Sequence, residues 1–260
     1  MATLFATNYS SGIGTASISN AYATGQATGT NQVGGLVGSN NADGGMASIS
    51  NAYAIGPVTG STYLGGLVGF NYAISGTRAS ISNAYASGQV SGSTYAGGLI
   101  GYNHAATGGV ASISNAYWDP ASTTQAAGIG FTPAGIVTNV NSLASSNRYQ
   151  HASYAQLGNW TETASGSGVW QAKDTNNVAQ WIMLEGSTRP FLASEYSTVV
   201  RNAHQLQLMA YKLGAGYTLA NDIDASATFV AGANAPTHSG MWSTAGFVPL
   251  GNGSTKYTGL

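Results

Sequence analysis

The sequence predicts an all-β chain: a parallel β-helix, or β-solenoid, of 31–32-residue repeats, with one short helix near residues 203–213. Three observations carry this reading. The piece Ala16-Ser17-Ile18-Ser19-Asn20-Ala21-Tyr22-Ala23 returns nearly letter for letter from Ala47, Ala79 and Ala111, at steps of 31, 32 and 32 residues. A second constant piece follows it, as Val33-Gly34-Gly35-Leu36-Val37-Gly38, Leu64-Gly65-Gly66-Leu67-Val68-Gly69 and Ala96-Gly97-Gly98-Leu99-Ile100-Gly101. Gly punctuates the repeats, and no apolar set recurs at the three- and four-residue spacing a helix needs.

Within the first piece, Ile18, Asn20 and Tyr22 alternate with Ser17, Ser19 and Ala21, the two-residue period of a strand with one buried face. A strand this short cannot bury its face alone, so equivalent strands must stack about 4.8 Å apart on successive coils. Stacking makes ladders of Ile18, Ile49, Ile81 and Ile113, of Asn20, Asn51, Asn83 and Asn115, and of Tyr22, Tyr53, Tyr85 and Tyr117. Each buried Ile contributes about 1.5–3 kcal/mol. The Asn column has two structural readings: buried amides satisfying one another from coil to coil, or residues that mark a bend. The paired Gly residues suit tight corners or close backbone approach. One coil per repeat, with three short strands and a variable loop, is the preferred count, and two shorter coils is the other.

The chain divides, on this reading, into a repeat solenoid at 1–118, irregular coils or a cap closing the array at 119–192, and a helix with the start of a further β-helical unit at 193–260. Trp118, Trp160, Trp170 and Trp181 would fill the cap. Trp181-Ile182-Met183-Leu184 and Pro190-Phe191-Leu192 read as buried strands around a turn at Gly186. Asn202 with Gln205 three residues on marks a helix start, Leu206, Met209, Ala210 and Leu213 its apolar face, and Gly214 its end. Leu4-Phe5-Ala6-Thr7-Asn8-Tyr9 aligns with Leu67-Val68-Gly69-Phe70-Asn71-Tyr72, so the sequence is expected to enter inside a repeat, as an excised fragment with Met1 an added initiator.

Composition excludes several functions. At 43% hydrophobic the chain can bury a sizeable core, but only 6% is charged and the net charge is −1, so no basic stripe exists for nucleic acid. No apolar run is long enough to span a bilayer, and no membrane insertion is expected. With no Cys there are neither disulfides nor thiolate metal sites. Between Ala16 and Trp118 the only Asp, Glu, Lys or Arg residues are Asp43 and Arg78, so the repeats cannot supply the carboxylate cluster that glycosidase or lyase chemistry needs. The expectation is no enzyme and no cofactor.

Asp222 and Asp224 share a strand face and form the weak candidate for a metal or catalytic pair; the competing reading has them bonding nearby turn amides. His104, His151, His204 and His238 show no metal-ligand spacing. The best candidate binding surface is a pair of aromatic columns, Tyr63 and Tyr95 at the position of Gln32, and Phe70 and Tyr102 at the position of Ser39. Exposed, they would suit a sugar ring; the competing and favoured reading is that they fill the core or pack against a loop. Thr28, Thr59 and Ser91 beside Thr30, Ser61 and Ser93 form hydroxyl columns that either order water, as an ice-binding face does, or make a solvated sheet face.

The pattern Gly-Gly-Leu-Val-Gly-x-Asn, a loop, then Ile-Ser-Asn-Ala-Tyr-Ala-x-Gly-x-Val-x-Gly resembles the GLUG repeat of large bacterial surface proteins, including filamentous-haemagglutinin-like adhesins of two-partner secretion systems. The resemblance covers residues 4 to 118, and Ala116-Tyr117-Trp118-Asp119-Pro120 resembles the segment that closes such arrays. The stretch from His204 to Met209 with Tyr217 to Ala225, continued by Gly246 to Gly251 and Tyr257 to Gly259, resembles the segment that opens the next unit. The resemblance implies a right-handed β-helix in a secreted or cell-surface rod that mediates or supports attachment. Its implied partners are host glycans or cell-surface receptors and the neighbouring repeats of a parent chain. End-to-end self-association through unpaired strand edges is a further expectation. The alternatives are a carbohydrate-active β-helix enzyme and an ice-binding or surface-layer module.

Overall fold

A computed structural model describes residues 5–229, 240–251 and 256–259, and the chain divides by its contacts into two units at Ser145/Ser146. The first unit is a β-solenoid with one coil per repeat. Its first coil holds β1 (Phe5–Ser11), β2 (Thr15–Ala23), β3 (Ala27–Thr28) and β4 (Asn31–Gly34). The second holds β5 (Val37–Asp43), β6 (Met46–Ala54), β7 (Val58–Thr59) and β8 (Thr62–Gly65), and the third β9 (Val68–Ile74), β10 (Arg78–Ala86), β11 (Val90–Ser91) and β12 (Thr94–Gly97). A fourth has β13 (Ile100–Ala106) and β14 (Val110–Trp118), and β15 (Ile129–Ala134) and β16 (Ile136–Ser142) begin a fifth. A full coil thus has four strands, one more than expected, because the backbone pauses for a two-residue strand between the constant pieces. The solenoid also runs past Trp118, so both its end and the two-unit division differ from the three-part reading.

Equivalent strands pair in parallel into four stacks, β1-β5-β9-β13-β15, β2-β6-β10-β14-β16, β3-β7-β11 and β4-β8-β12. Ile18, Ile49, Ile81 and Ile113 lie in register and form a core with Leu36, Leu67, Leu99, Val37, Val68 and Ile100. Asn20, Asn51, Asn83 and Asn115 take φ of 47–50°, so the bend reading holds. The left-handed residue turns the side chain out of the two-residue alternation, and Ala52, Ala84 and Ala116 recover the buried face. The same Asn residues still make an amide ladder, half-exposed, with Asn115 Nδ2 donating to Asn83 Oδ1 at 3.2 Å and Asn83 Nδ2 to Asn51 Oδ1 at 3.3 Å. Tyr22, Tyr53 and Tyr85 stack at 5.2 and 4.9 Å, with Tyr53 and Tyr85 fully buried, worth about 0.5–1.5 kcal/mol per pair beyond burial.

The fully buried amide column is a different one. Asn8, Asn40, Asn71 and Asn103 point inward from the first stack, each Nδ2 donating to the next Oδ1 at 2.7 Å. Three bonds thus join the four amides along the stack axis and fix the register of the coils, the column ending at Asn103, whose own Nδ2 finds no acceptor. The Gly pairs make the corner that brings this column in: a Cβ on Gly66 would land on Gly98 O and 2.9 Å from Ala86 Cβ. Trp118 packs on the core, and Asp119 caps the four-residue α1 (Pro120–Thr123), its Oδ1 accepting from Ala121 N at 3.1 Å and Ser122 N at 3.3 Å.

The second unit replaces the expected irregular coils with an antiparallel meander of β17 (Asn159–Glu162), β18 (Val169–Lys173), β19 (Ala179–Leu184) and β20 (Phe191–Leu192). Trp160, Trp170 and Trp181 belong to this sheet, while Trp118 packs within the first unit. The buried strands around Gly186 are β19 and β20, with Gly186 at φ 72°. Next come β21 (Val199–Val200), α2 (Ala203–Leu208), continued as a 3₁₀ turn to Tyr211, and β22 (Thr218–Leu219), which pairs in parallel with β21. Asn202 Oδ1 caps α2 by accepting from Gln205 N at 2.9 Å. Its buried face is Ala203, His204, Gln207 and Leu208, with Leu206 half-buried, because Gln207 turns inward. Gln207 Oε1 accepts from Trp242 Nε1 and Val248 N, and its Nε2 donates to Val248 O.

Candidate functional site

After the corner residues Val68 and Ile100, which are buried, alternation on β9 and β13 turns Asn71, Ala73 and Asn103 inward, and therefore Phe70, Tyr72, Tyr102 and His104 outward. Tyr63 and Tyr95 reach the same outer face from the corner before it, where φ is 56° and 51°. The rings form one continuous surface. Tyr63 stacks on Tyr95 at 5.4 Å and 5°, Phe70 on Tyr102 at 5.2 Å and 11°, and Tyr72 on His104 at 5.7 Å and 26°. The columns also meet each other, Tyr63 standing edge-on to Tyr102 at 5.0 Å and 70°. Phe131 joins at 4.9 Å from Tyr95.

Tyr95 and Phe131 are 38% and 43% exposed, and Tyr63, Phe70, Tyr72 and Tyr102 half-buried, so these rings neither fill the core nor lie sealed under a loop. Partial burial pushes the Tyr102 phenol above its ordinary value, reinforced by Tyr63, Tyr95 and Tyr72, so it stays neutral at physiological pH. An uncharged surface of ring edges and phenol hydroxyls offers apolar contact with hydrogen bonding beside it. Sequence reasoning found four of these residues. Tyr72, His104 and Phe131 were missed, although the 32-residue spacing from Tyr72 to His104 signalled the third column.

Residues 60–91 match a family model, the GLUG motif. The match spans one period from the end of β7 through β11 and holds Tyr63, Phe70 and Tyr72, with both the inner Asn71 and the outer Asn83. Beyond the matched residues, Tyr95, Tyr102 and Phe131 repeat or extend this surface. No curated protein and no solved structure matches the chain.

Asp222 and Asp224 do not share a strand face: both lie exposed in the loop after β22. Asp224 Oδ1 accepts from Ser226 N at 2.8 Å, and hydrogen bonding from the Ser226 side chain, joined by this backbone bond, holds its carboxyl below the ordinary range, so Asp224 is engaged in a turn. Among the described residues no group of three His, Asp or Glu is placed to hold a metal. His151 Nδ1 lies 2.9 Å from Glu185 Oε2 with its ring stacked on Trp170 at 3.6 Å, and His204 Nδ1 lies 2.6 Å from Glu195 Oε2 in the interior. His238 lies outside the described residues. Thr28, Thr59 and Ser91 are exposed and in register on strands only two residues long, and Thr30, Ser61 and Ser93 are exposed in the turns just after those strands. Broader polar columns, Ser17, Ser48, Ser80, Ser112 and Ser19, Ser50, Ser82, Ser114, occupy the outer side of the β2-β6-β10-β14-β16 sheet. Among the described residues no helix is long and apolar enough to cross a membrane.

Proposed function

We propose that this chain is a segment of a rod-like, exported bacterial surface protein, a non-catalytic extracellular repeat module that attaches to cells through the aromatic outer face of its solenoid. The observation that carries the reading is that face: seven ring residues in contact from the second coil to the fifth, partly exposed, on a solenoid almost without charge. Monomeric proteins rarely leave such contiguous apolar surface open without a partner. GLUG repeats are typical of extracellular proteins, and the match supports that setting for this chain. Glycans fit the face best, since a sugar presents C–H groups to rings and hydroxyls to phenols.

The test is a glycan array probed with the chain and with a Tyr63→Gln, Tyr95→Gln variant. Gln32 already holds the equivalent position at φ 53°, so the variant keeps the fold. The expected result is saturable glycan binding weakened at least about tenfold in the variant, the effect of losing roughly 1.4 kcal/mol of ring contact. Equal binding by both proteins would remove the face from the account.

A further inference from the structure

Stacking in a ladder consumes ring faces. Tyr63 and Tyr95 lie parallel at 5.4 Å, and Tyr95 is covered on its far side by Phe131 at 4.9 Å, so no sugar can lie flat on a ring inside the column. A sugar needs an open face, and the columns open where the rings give way to polar residues. That happens where the first coil ends and the second begins. Gln32 stands in register with Tyr63, Ser39 with Phe70, and Asn41 with Tyr72, leaving that side of each ring without an aromatic neighbour in its column. On the other side of this polar rung the third column resumes: Asn41 is in register with Tyr9 on the first coil, and Tyr9 is 48% exposed.

We infer that this polar rung is the recognition position of the aromatic face, and that it takes one neutral pyranose residue of an oligosaccharide. The inference rests on the glycan reading above and narrows it. Two coil steps separate Tyr9 from Tyr72, about 10 Å at roughly 4.8 Å each, the spacing that seats one further ring between two. Asn41 and Gln32 are shorter than tyrosine, so the outer part of the rung is open to a ring that completes the stack. The polar groups on the rung are those that read sugar hydroxyls. Asn41 Oδ1 is buried at the base of the rung and has no hydrogen-bond partner in the fold, whereas the Oδ1 atoms of Asn40 and Asn71 on the inner side of the same sheet each accept from a neighbour, so a sugar hydroxyl reaching past the Asn41 amide would supply the missing donor. Asp43, exposed at the end of the same strand, accepts the Tyr9 hydroxyl at Oδ2 over 3.2 Å and retains acceptor capacity at its other oxygen. Its negative charge sets the specificity: neutral hexoses and N-acetylhexosamines are accepted, and acidic sugars are repelled.

The experiment fills the rung. Gln32→Tyr with Asn41→Tyr copies the residues found in register on the next coil, so the variant extends existing stacks at backbone angles that already hold tyrosine. Both proteins are probed on immobilised neutral hexose and N-acetylhexosamine oligosaccharides and on the same chains ending in sialic acid, after circular dichroism and melting confirm the fold. The expected result is binding of neutral chains by the parent, weaker binding of sialylated ones, and at least a tenfold loss in the filled variant despite its two added rings. Equal or tighter binding by the filled variant would overturn the rung and leave the aromatic face standing. A parent that binds none of the oligosaccharides would overturn both.

Discussion

Replacing Asn71 with leucine is expected to destabilise the solenoid by about 2–5 kcal/mol, read as a shift in the urea unfolding midpoint. Asn71 is fully buried and stands in the middle of the inner ladder, accepting from Asn40 Nδ2 and donating to Asn103 Oδ1, each at 2.7 Å. Leucine fills the volume and answers neither neighbour. Each buried polar group left unpaired costs about 1–3 kcal/mol, and Asn40 recovers only a long contact to Ser80 O at 3.4 Å. The outer ladder provides the control. Asn83→Gly removes a half-exposed amide but suits φ 50°, and is expected to cost about 1 kcal/mol. Equal losses in the two variants would mean that the inner column does not hold the register.

Gly66→Ala is expected to be more severe, at least about 3 kcal/mol, or about 6–12 °C in melting temperature for a chain of this size. The added Cβ meets the Gly98 carbonyl oxygen of the next coil and lies 2.9 Å from Ala86 Cβ. Neither is the end of a flexible side chain, so the coils must part, and parting them pulls on the Leu67 and Val68 core positions beside the corner. Gly76→Ala separates this effect from backbone strain. Nothing lies within 4 Å of its added Cβ, and its φ of 76° costs roughly 1 kcal/mol for any L-residue. A Gly66→Ala protein melting as high as the Gly76→Ala protein would contradict the close-approach account of the constant Gly pairs.

What was legible in the sequence is what repeats. The 31–32-residue period, the strand at Ile18, Ile49, Ile81 and Ile113, and the aromatic columns at Tyr63 and Phe70 all follow from recurrence, since an in-register stack must place like residues on like. Which asparagine column lies inside was not legible. Both recur at the same spacing, and strict alternation places Asn83 beside Ile81 in the core; a single left-handed residue reverses that. The clue lay in the Gly-x-Asn of the second constant piece, where Asn71 follows a Gly that only a crowded interior requires. Beyond Ser145 nothing repeats, so local signals had to serve alone. They located the Asn202 cap and the strands around Gly186, and failed at Gln207, a polar residue that turns inward to bond Trp242 and Val248. No helical pattern shows such a residue as core, because the partners that satisfy it lie 35 and 41 residues away.

The attachment account places binding on one outer face of the solenoid and none on the serine columns of the neighbouring sheet. Retention of the soluble chain on intact epithelial cells, measured beside Tyr63→Gln, Tyr95→Gln on the aromatic face and Ser80→Ala, Ser82→Ala on the serine face, tests this most directly. The account predicts saturable retention that the serine variant keeps and the aromatic variant loses at least about tenfold. Retention lost in the serine variant and kept in the aromatic one, or no retention of the parent chain, would contradict it.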